Sequence, residues 1–465
     1  MKKLFILLLV FSSCGGAKPE TEIKVELPET YELANIILAL TEYGRTDEWE
    51  VQKHTQYYQD VLDYFEPVRN HPLLESVNYS REKWADYLSF RTDAYAFEFD
   101  KNNQLKRKFK FYANNGYKPF DENIELVNDF VQKSNFRNFF AEKKEFYDRI
   151  VNNYKDYYFI EQTVEFLNNK IGKPEQFNKR NFSYRIVLSP LVNRMNCHRN
   201  ISANIVADFP SATIELMGNT IDNNDLTSRL NGCHMVFTEM DHGYINPISD
   251  KYKKLIAVNF PNEIWDINSG YEGIDVFNEY MTWAVFDIFV REYFPEQADM
   301  VSMRWQYQNT TRGFFAQHAF TEKLKELYDK NEDNKLEAIY EPLLKWCKEV
   351  ENTIALPTLL NVDFDNFIPV EINNIQLDFS EKMNSEKPFT IAVLEFVNGE
   401  KTGNRQFVEV KNFETINNDK SVVFALDTPY NEFGIFLTYY VNMQPITSQS
   451  NVFLAPDSFI LLKKK

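Results

Sequence analysis

The period of the hydrophobic pattern changes several times along this chain, and those changes constrain its fold more than any other feature. From Glu29 to Gly172 apolar residues recur at helical spacing, as in Leu33, Ile36, Ile37 and Leu40, then Ile124, Val127 and Val131, then Phe146, Ile150 and Tyr154. This part should be mostly helical. Between Phe182 and Met217 the runs become short and strand-like, Tyr184 to Leu188, Ser202 to Phe209 and Ala212 to Met217, with Pro190, Pro210 and Gly218 between them. A stretch rich in Asn and Asp, Asn219 to Asn231, then leads into a helix from His234 that should close at Asn246-Pro247, because proline has no amide donor and disfavours helix before it. Two further helical stretches follow, Val276 to Tyr293 and Gly313 to Glu349. Beyond Asn352, Pro357 and Pro369 mark a boundary, and from residue 367 alternation returns in Ile375-Gln376-Leu377-Asp378-Phe379. Turn signals at Asn398-Gly399, Asn417-Asn418-Asp419 and Pro429 to Asn431 divide the remainder into strands, which predicts a β-sandwich.

A chain of 465 residues exceeds what one hydrophobic core usually holds, so more than one domain is expected. Its 68 acidic side chains outnumber 51 basic ones, for a formal charge of −17. Such a surface repels polyphosphates, and nucleic acid is excluded as a partner. The 15% aromatic content is explained by packing and requires no cofactor.

Met1-Lys2-Lys3 followed by the apolar run Leu4 to Phe11 fits a secretory signal, too short to span a bilayer. The next residues, Phe11-Ser12-Ser13-Cys14-Gly15, resemble a bacterial lipoprotein cleavage site. That resemblance implies removal of residues 1–13, lipidation of Cys14, a tether over 14–26, and a place in the cell envelope, at the outer membrane. The membrane would then be a partner through Cys14, each buried methylene of the acyl chains contributing about 0.8 kcal/mol. An oxidising compartment makes a disulfide possible; Cys197 and Cys233, both in loop-like settings, are the likelier pair, and Cys347 on an amphipathic helix is expected as a buried thiol. The Cys197-His198 and Cys233-His234 neighbours are too close in sequence for paired zinc ligands.

The segment Phe237-Thr238-Glu239-Met240-Asp241-His242 invites comparison with the zinc-protease helix, in which two histidines four apart share a face and a glutamate activates water. Alone, Glu-x-x-His is a common accident. With His242-Gly243-Tyr244-Ile245-Asn246-Pro247, then Asn278-Glu279-Tyr280, then Gly313-Phe314, the chain resembles an uncharacterised family of exported zincin-like proteins of the gluzincin type. The likeness reaches upstream to Tyr31-Glu32-Leu33-Ala34 and Asn70-His71-Pro72, and covers most of residues 25 to 350. It implies an α+β zincin-like metallopeptidase-type domain over 27–355, helical over 27–175, with sheet and motif helix over 180–250 and helices over 275–352. Pro369 to Met383, with Asp378-Phe379-Ser380, resembles bacterial immunoglobulin-like domains, which implies an all-β immunoglobulin-like sandwich over 367–465. Carried over residue by residue, the resemblance makes Glu239 the general base and His242 and Glu279 the metal ligands. Thr238 stands where the first histidine ligand belongs.

Catalytic zinc takes three protein ligands and an open position for water. A neutral hydroxyl is a poor substitute for imidazole, so zinc is expected to be weakly held or absent. Replacement donors would have to come from Asp241, His234 or His198, and His234 lies about 12 Å before His242 if the helix is continuous. The plainer reading of His242 is a half-buried histidine bonded to Glu279, and His71 and His318 read as structural or exposed. The resulting expectation is a degenerate metallopeptidase fold that binds a peptide or protein, with Ala203 to Phe209 or Ala212 to Met217 as the sheet edge to which a strand could add. The alternative is an active zinc-dependent metallopeptidase with a substitute third ligand. A third reading is an envelope scaffold or glycan-binding component. No Gly-rich phosphate loop or Gly-x-Ser-x-Gly elbow is present.

Overall fold

A computed structural model describes residues 22–111, 117–172, 183–194, 196–211, 217–218, 225–331, 335–363, 366–438 and 444–465. The signal segment 1–13 and Cys14 lie outside the described residues, as do 212–216 of the expected strand and 219–224 of the loop after it. The architecture is α+β, helices giving way to a sheet-rich C-terminal region. Contacts divide the chain into two compact units, one of Met1–Tyr154 with Lys173–Asn219, the other of Lys155–Gly172 with Thr220–Lys465.

In the first unit, strand β1 (Glu22–Glu26) precedes a series of helices that is interrupted by the hairpin β2 (Phe97–Phe99) and β3 (Leu105–Arg107). Strands β4 (Ser183–Val187), β5 (His198–Ser202) and β6 (Ile205–Asp208) follow. The sheet order is β1-β4-β6-β5, with β1 and β6 parallel to β4 and only β5 antiparallel. Two expectations change here. The tether stops short of residue 26, because Glu22-Ile23-Lys24-Val25-Glu26 alternates in strand fashion, buries Val25 and pairs with β4. The segment Ala203 to Phe209 is no edge, since β6 is bonded on both sides and the edges are β1 and β5. The helix Glu29–Leu40 is buried almost throughout and anchors a core that includes Tyr31, Phe65, Phe90, Phe130 and Phe136. Its period is helical but its burial is on all faces, as befits a central helix.

The second unit contains a helical body and a β-rich region. The motif helix runs Leu226–Asn259, a length of 34 residues. Asp225 caps it by accepting from the Ser228 amide at 2.9 Å. Contrary to expectation, it does not stop at Asn246-Pro247. Proline removes the amide that would bond the Gly243 carbonyl, but Pro247 is on the exposed side of the helix. Tertiary contacts hold both flanks: Tyr244, Ile245, Ile248 and Ser249 are buried, and the Ser249 hydroxyl meets the Tyr340 hydroxyl at 3.1 Å. Packed on the motif helix are Ile274–Tyr293, buried from Val276 to Val290, and the helices Ala298–Thr311 and Tyr340–Val350; Gln317–Asp329 packs against Ile274–Tyr293.

The β-rich region comprises β7 (Ile368–Val370), β8 (Ile375–Asp378), β9 (Phe389–Val397), β10 (Glu400–Val410), β11 (Phe413–Ile416), β12 (Ser421–Phe424), β13 (Glu432–Phe436) and β14 (Phe459–Lys464). They form a five-stranded sheet, β10-β9-β13-β14-β7, and a three-stranded sheet, β11-β12-β8. All pairs are antiparallel except β7 with β14. Both sheets contribute to one core, with Leu377 and Val422 from the smaller and Ile391, Val393, Ile435 and Ile460 from the larger.

Candidate functional site

Thr238 and His242 lie four apart on the motif helix and so share a face. Glu279 comes from the helix Ile274–Tyr293, which packs against it. His242 Nε2 is 3.3 Å from Glu279 Oε1, and its Nδ1 is 3.3 Å from Asn246 Oδ1 one turn along the same helix. Burial pulls the His242 pKa down, but the hydrogen bond and charge of Glu279, with the charge of Glu239 and the contact with Asn246, outweigh it and raise the value to about 9. An imidazole in that setting is an imidazolium near neutral pH, and the pair is an ion pair.

Thr238 is buried, and its hydroxyl donates to the Met235 carbonyl at 3.2 Å. This bond back to its own helix occupies the one proton the side chain could offer. The donor set is one imidazole, one carboxylate and a neutral hydroxyl, whose oxygen is a weak donor to zinc. It does not fit a three-ligand zinc site. Among the described residues no group of three or more His, Cys, Asp or Glu side chains is arranged to hold an ion.

The replacement donors weighed from sequence are placed elsewhere. His234 is buried, stacks on Trp305 with centroids 3.8 Å apart and meets Phe286 edge-on at 4.8 Å. Burial holds its pKa well below the usual value, with the charge of Arg312 acting in the same direction. Asp241 is fully buried with neither carboxylate oxygen hydrogen-bonded, and burial pushes its pKa well up. Burial in the core favours its neutral form, against the charge of His242. His198 belongs to the first unit, where its Nδ1 meets Asp208 Oδ1 at 2.7 Å. Among the other histidines, His71 caps a short helix through the Leu73 amide and bonds Asp129 at 2.9 Å. His318 stacks on Phe453 at 4.4 Å and bonds Gln306 at 2.6 Å. Both are structural.

No disulfide joins Cys197 and Cys233. Cys197, Cys233 and Cys347 are buried thiols outside any disulfide. Cys197 packs in the core of the first unit, while Cys233 donates to the Tyr158 carbonyl at 3.2 Å in the second. Sequence placed both in loops; Cys233 is in fact inside the motif helix, which begins at Leu226.

Two residues of the site carry no motif and were not anticipated. Tyr271 precedes the Glu279 helix, and its phenol pKa is raised by burial and then by the charge of Glu279, with Arg312 pulling it down and Glu239 pushing it up. Arg312 caps the end of the helix Ala298–Thr311 and lies over the ring of Trp283, which is one turn beyond Glu279. The only hint in sequence was the neighbouring Gly313-Phe314.

Among the described residues no helix is long and apolar enough to cross a membrane. No protein-family model matches the chain, and no curated protein or solved structure does so.

Proposed function

We propose that this chain is an exported lipoprotein, anchored to a membrane of the cell envelope through Cys14, whose zincin-like domain has a degenerate metal site and binds a peptide or protein without cleaving it. The observation that carries this reading is Thr238, whose neutral hydroxyl, bonded back to the Met235 carbonyl at 3.2 Å, stands one turn before His242 where the gluzincin pattern has its first histidine. Both groups that the gluzincin pattern assigns to the ion are turned on each other, and Thr238 brings no third donor. The 3.3 Å contact of His242 with Glu279 joins two helices and keeps the spacing of the motif, and the weak point of the site is its third donor.

The immunoglobulin-like reading of the C-terminal region draws support from its strand order. In chain order the eight strands distribute as β8, β11 and β12 in one sheet and β7, β9, β10, β13 and β14 in the other, and the first strand pairs parallel with the last. An immunoglobulin-like sandwich distributes its B, D and E strands against its C, F and G strands in the same way.

The test is metal analysis of protein purified without chelator, combined with a peptide-cleavage assay on the unmodified chain and on Glu239→Gln. Zinc well below one equivalent and no cleavage attributable to Glu239 are expected. Stoichiometric zinc with an activity lost in Glu239→Gln would overturn the proposal in favour of a working peptidase.

A further inference from the structure

The Arg312 guanidinium lies 4.8 Å from the centroid of Trp283 and 5.7 Å from that of Phe314. Its third neighbour is Tyr271, whose phenol pKa it pulls down. Among the described residues it is held by these rings and this phenol and enters no ion pair, in a chain whose formal charge is −17. Stacking on an aromatic face uses the flat side of a guanidinium and leaves its N–H edge directed outward.

The surroundings are built to keep that edge in place. Gly313 adopts φ +104°, and a Cβ there would come within 2.4 Å of the Ile267 carbonyl oxygen. The Ile267 amide in turn donates to the Gly313 carbonyl at 2.9 Å. The turn carrying Arg312 and the loop carrying Tyr271 are therefore pinned face to face at a position only glycine can occupy. Tyr271 also packs edge-on to Phe314 at 5.7 Å, and its amide donates to the Ser269 hydroxyl at 3.2 Å. Trp283, the platform under the guanidinium, shares a helix face with Glu279.

The geometry points to Arg312 and Tyr271 as the receptor for a single carboxylate, that of a peptide C-terminus, at the rim of the His242–Glu279 site. A planar carboxylate matches the two N–H vectors of a guanidinium edge, and the Tyr271 hydroxyl adds a donor. A phosphate would bring a second negative charge next to Glu279 and Glu239, the two carboxylates whose fields reach Tyr271. One charge is accommodated; two are opposed. This assignment rests on the binding role proposed above and names the ligand class for the same site.

The experiment titrates the full chain with N-acetyl-trialanine and with its C-terminal amide, followed by ligand-observed NMR, and repeats both with Arg312→Gln and Arg312→Lys. The acid should bind about tenfold more tightly than the amide or better, the difference expected for one charge-assisted bidentate contact. Arg312→Gln should abolish the difference and Arg312→Lys should keep part of it, because lysine retains the charge but not the fork. Should Arg312→Gln fail to fold, Tyr271→Phe supplies the second variant, with a smaller loss expected for the acid and none for the amide. Equal binding of acid and amide to the unmodified chain would overturn the carboxylate assignment and leave the peptide-binding role standing. Failure of both to bind would overturn the two together.

Discussion

His242 Nε2 faces Glu279 Oε1 across 3.3 Å, joining the motif helix to the helix that packs against it. The side chains keep only 19% and 11% of their exposure, so solvent screens the pair little. Removing one partner leaves a poorly hydrated charge behind. His242→Ala and Glu279→Ala should each lower stability by about 2 kcal/mol, and the double variant by much less than the sum. Urea denaturation of the full cycle measures the coupling. If the two losses add to within about 0.5 kcal/mol, the pair contributes nothing and the site has no internal lock.

Thr238→His supplies the imidazole that the proposed gluzincin likeness lacks. The position is buried, so the larger ring should cost about 1–3 kcal/mol in metal-free protein. Zinc at about a hundred times its dissociation constant should return roughly 2.7 kcal/mol to this variant. Melting curves of the unmodified chain should be insensitive to the same zinc concentration. An equal zinc-dependent shift in both proteins would mean that a third ligand already exists.

A pH effect is expected from the first unit. Glu32 is fully buried and receives the Tyr57 hydroxyl at 2.6 Å on one oxygen. Burial raises its pKa from 4.5 to about 7, against the opposing hydrogen bonds of Ser189 and Tyr57. The folded protein thus binds this proton more tightly than the unfolded chain does. The stability contributed by the neutral acid is fully present below pH 4.5 and is lost as pH rises to about 7, on the order of 3 kcal/mol in all. Glu32→Gln keeps an acceptor for Tyr57 without the charge. It should be more stable than the unmodified chain at pH 8 and close to it at pH 4.5, as measured by denaturant midpoints. A constant difference across that range would remove Glu32 as the cause.

The thiols give a simpler check. Cys197, Cys233 and Cys347 are not joined in a disulfide, so the melting temperature should be the same with and without reductant. Alkylation of unfolded, unreduced protein followed by mass spectrometry should label each of them. A disulfide-linked Cys197–Cys233 peptide would contradict the structure.

Much of the architecture is legible along the chain because period is a local property. The helix at Ile274–Tyr293 and the strand at Ser183–Val187 fall within a few residues of where apolar spacing puts them, and the β-rich region begins at Ile368 as the prolines and alternation suggest. Local rules fail where a distant contact outweighs them. Pro247 reads as a stop, but the buried side chains on either side of it hold the helix together across the missing hydrogen bond. Cys233 reads as a loop residue because Asn231 and Gly232 precede it, yet it packs inside the helix against Tyr158.

For the site, the chain by itself determined the inventory: a glutamate and a histidine at helical spacing, a threonine one turn before that histidine, and a second glutamate on a later helix. Residue types and their spacing within one helix are written in sequence, since four residues make one turn. Only the tertiary structure decided that His242 and Glu279 meet, that Asp241 and His234 turn into the core, and that Arg312 lies over Trp283, one turn beyond Glu279. Those are relations between elements separated by loops, set by which faces bury against each other, and no local pattern encodes a distance across such a gap.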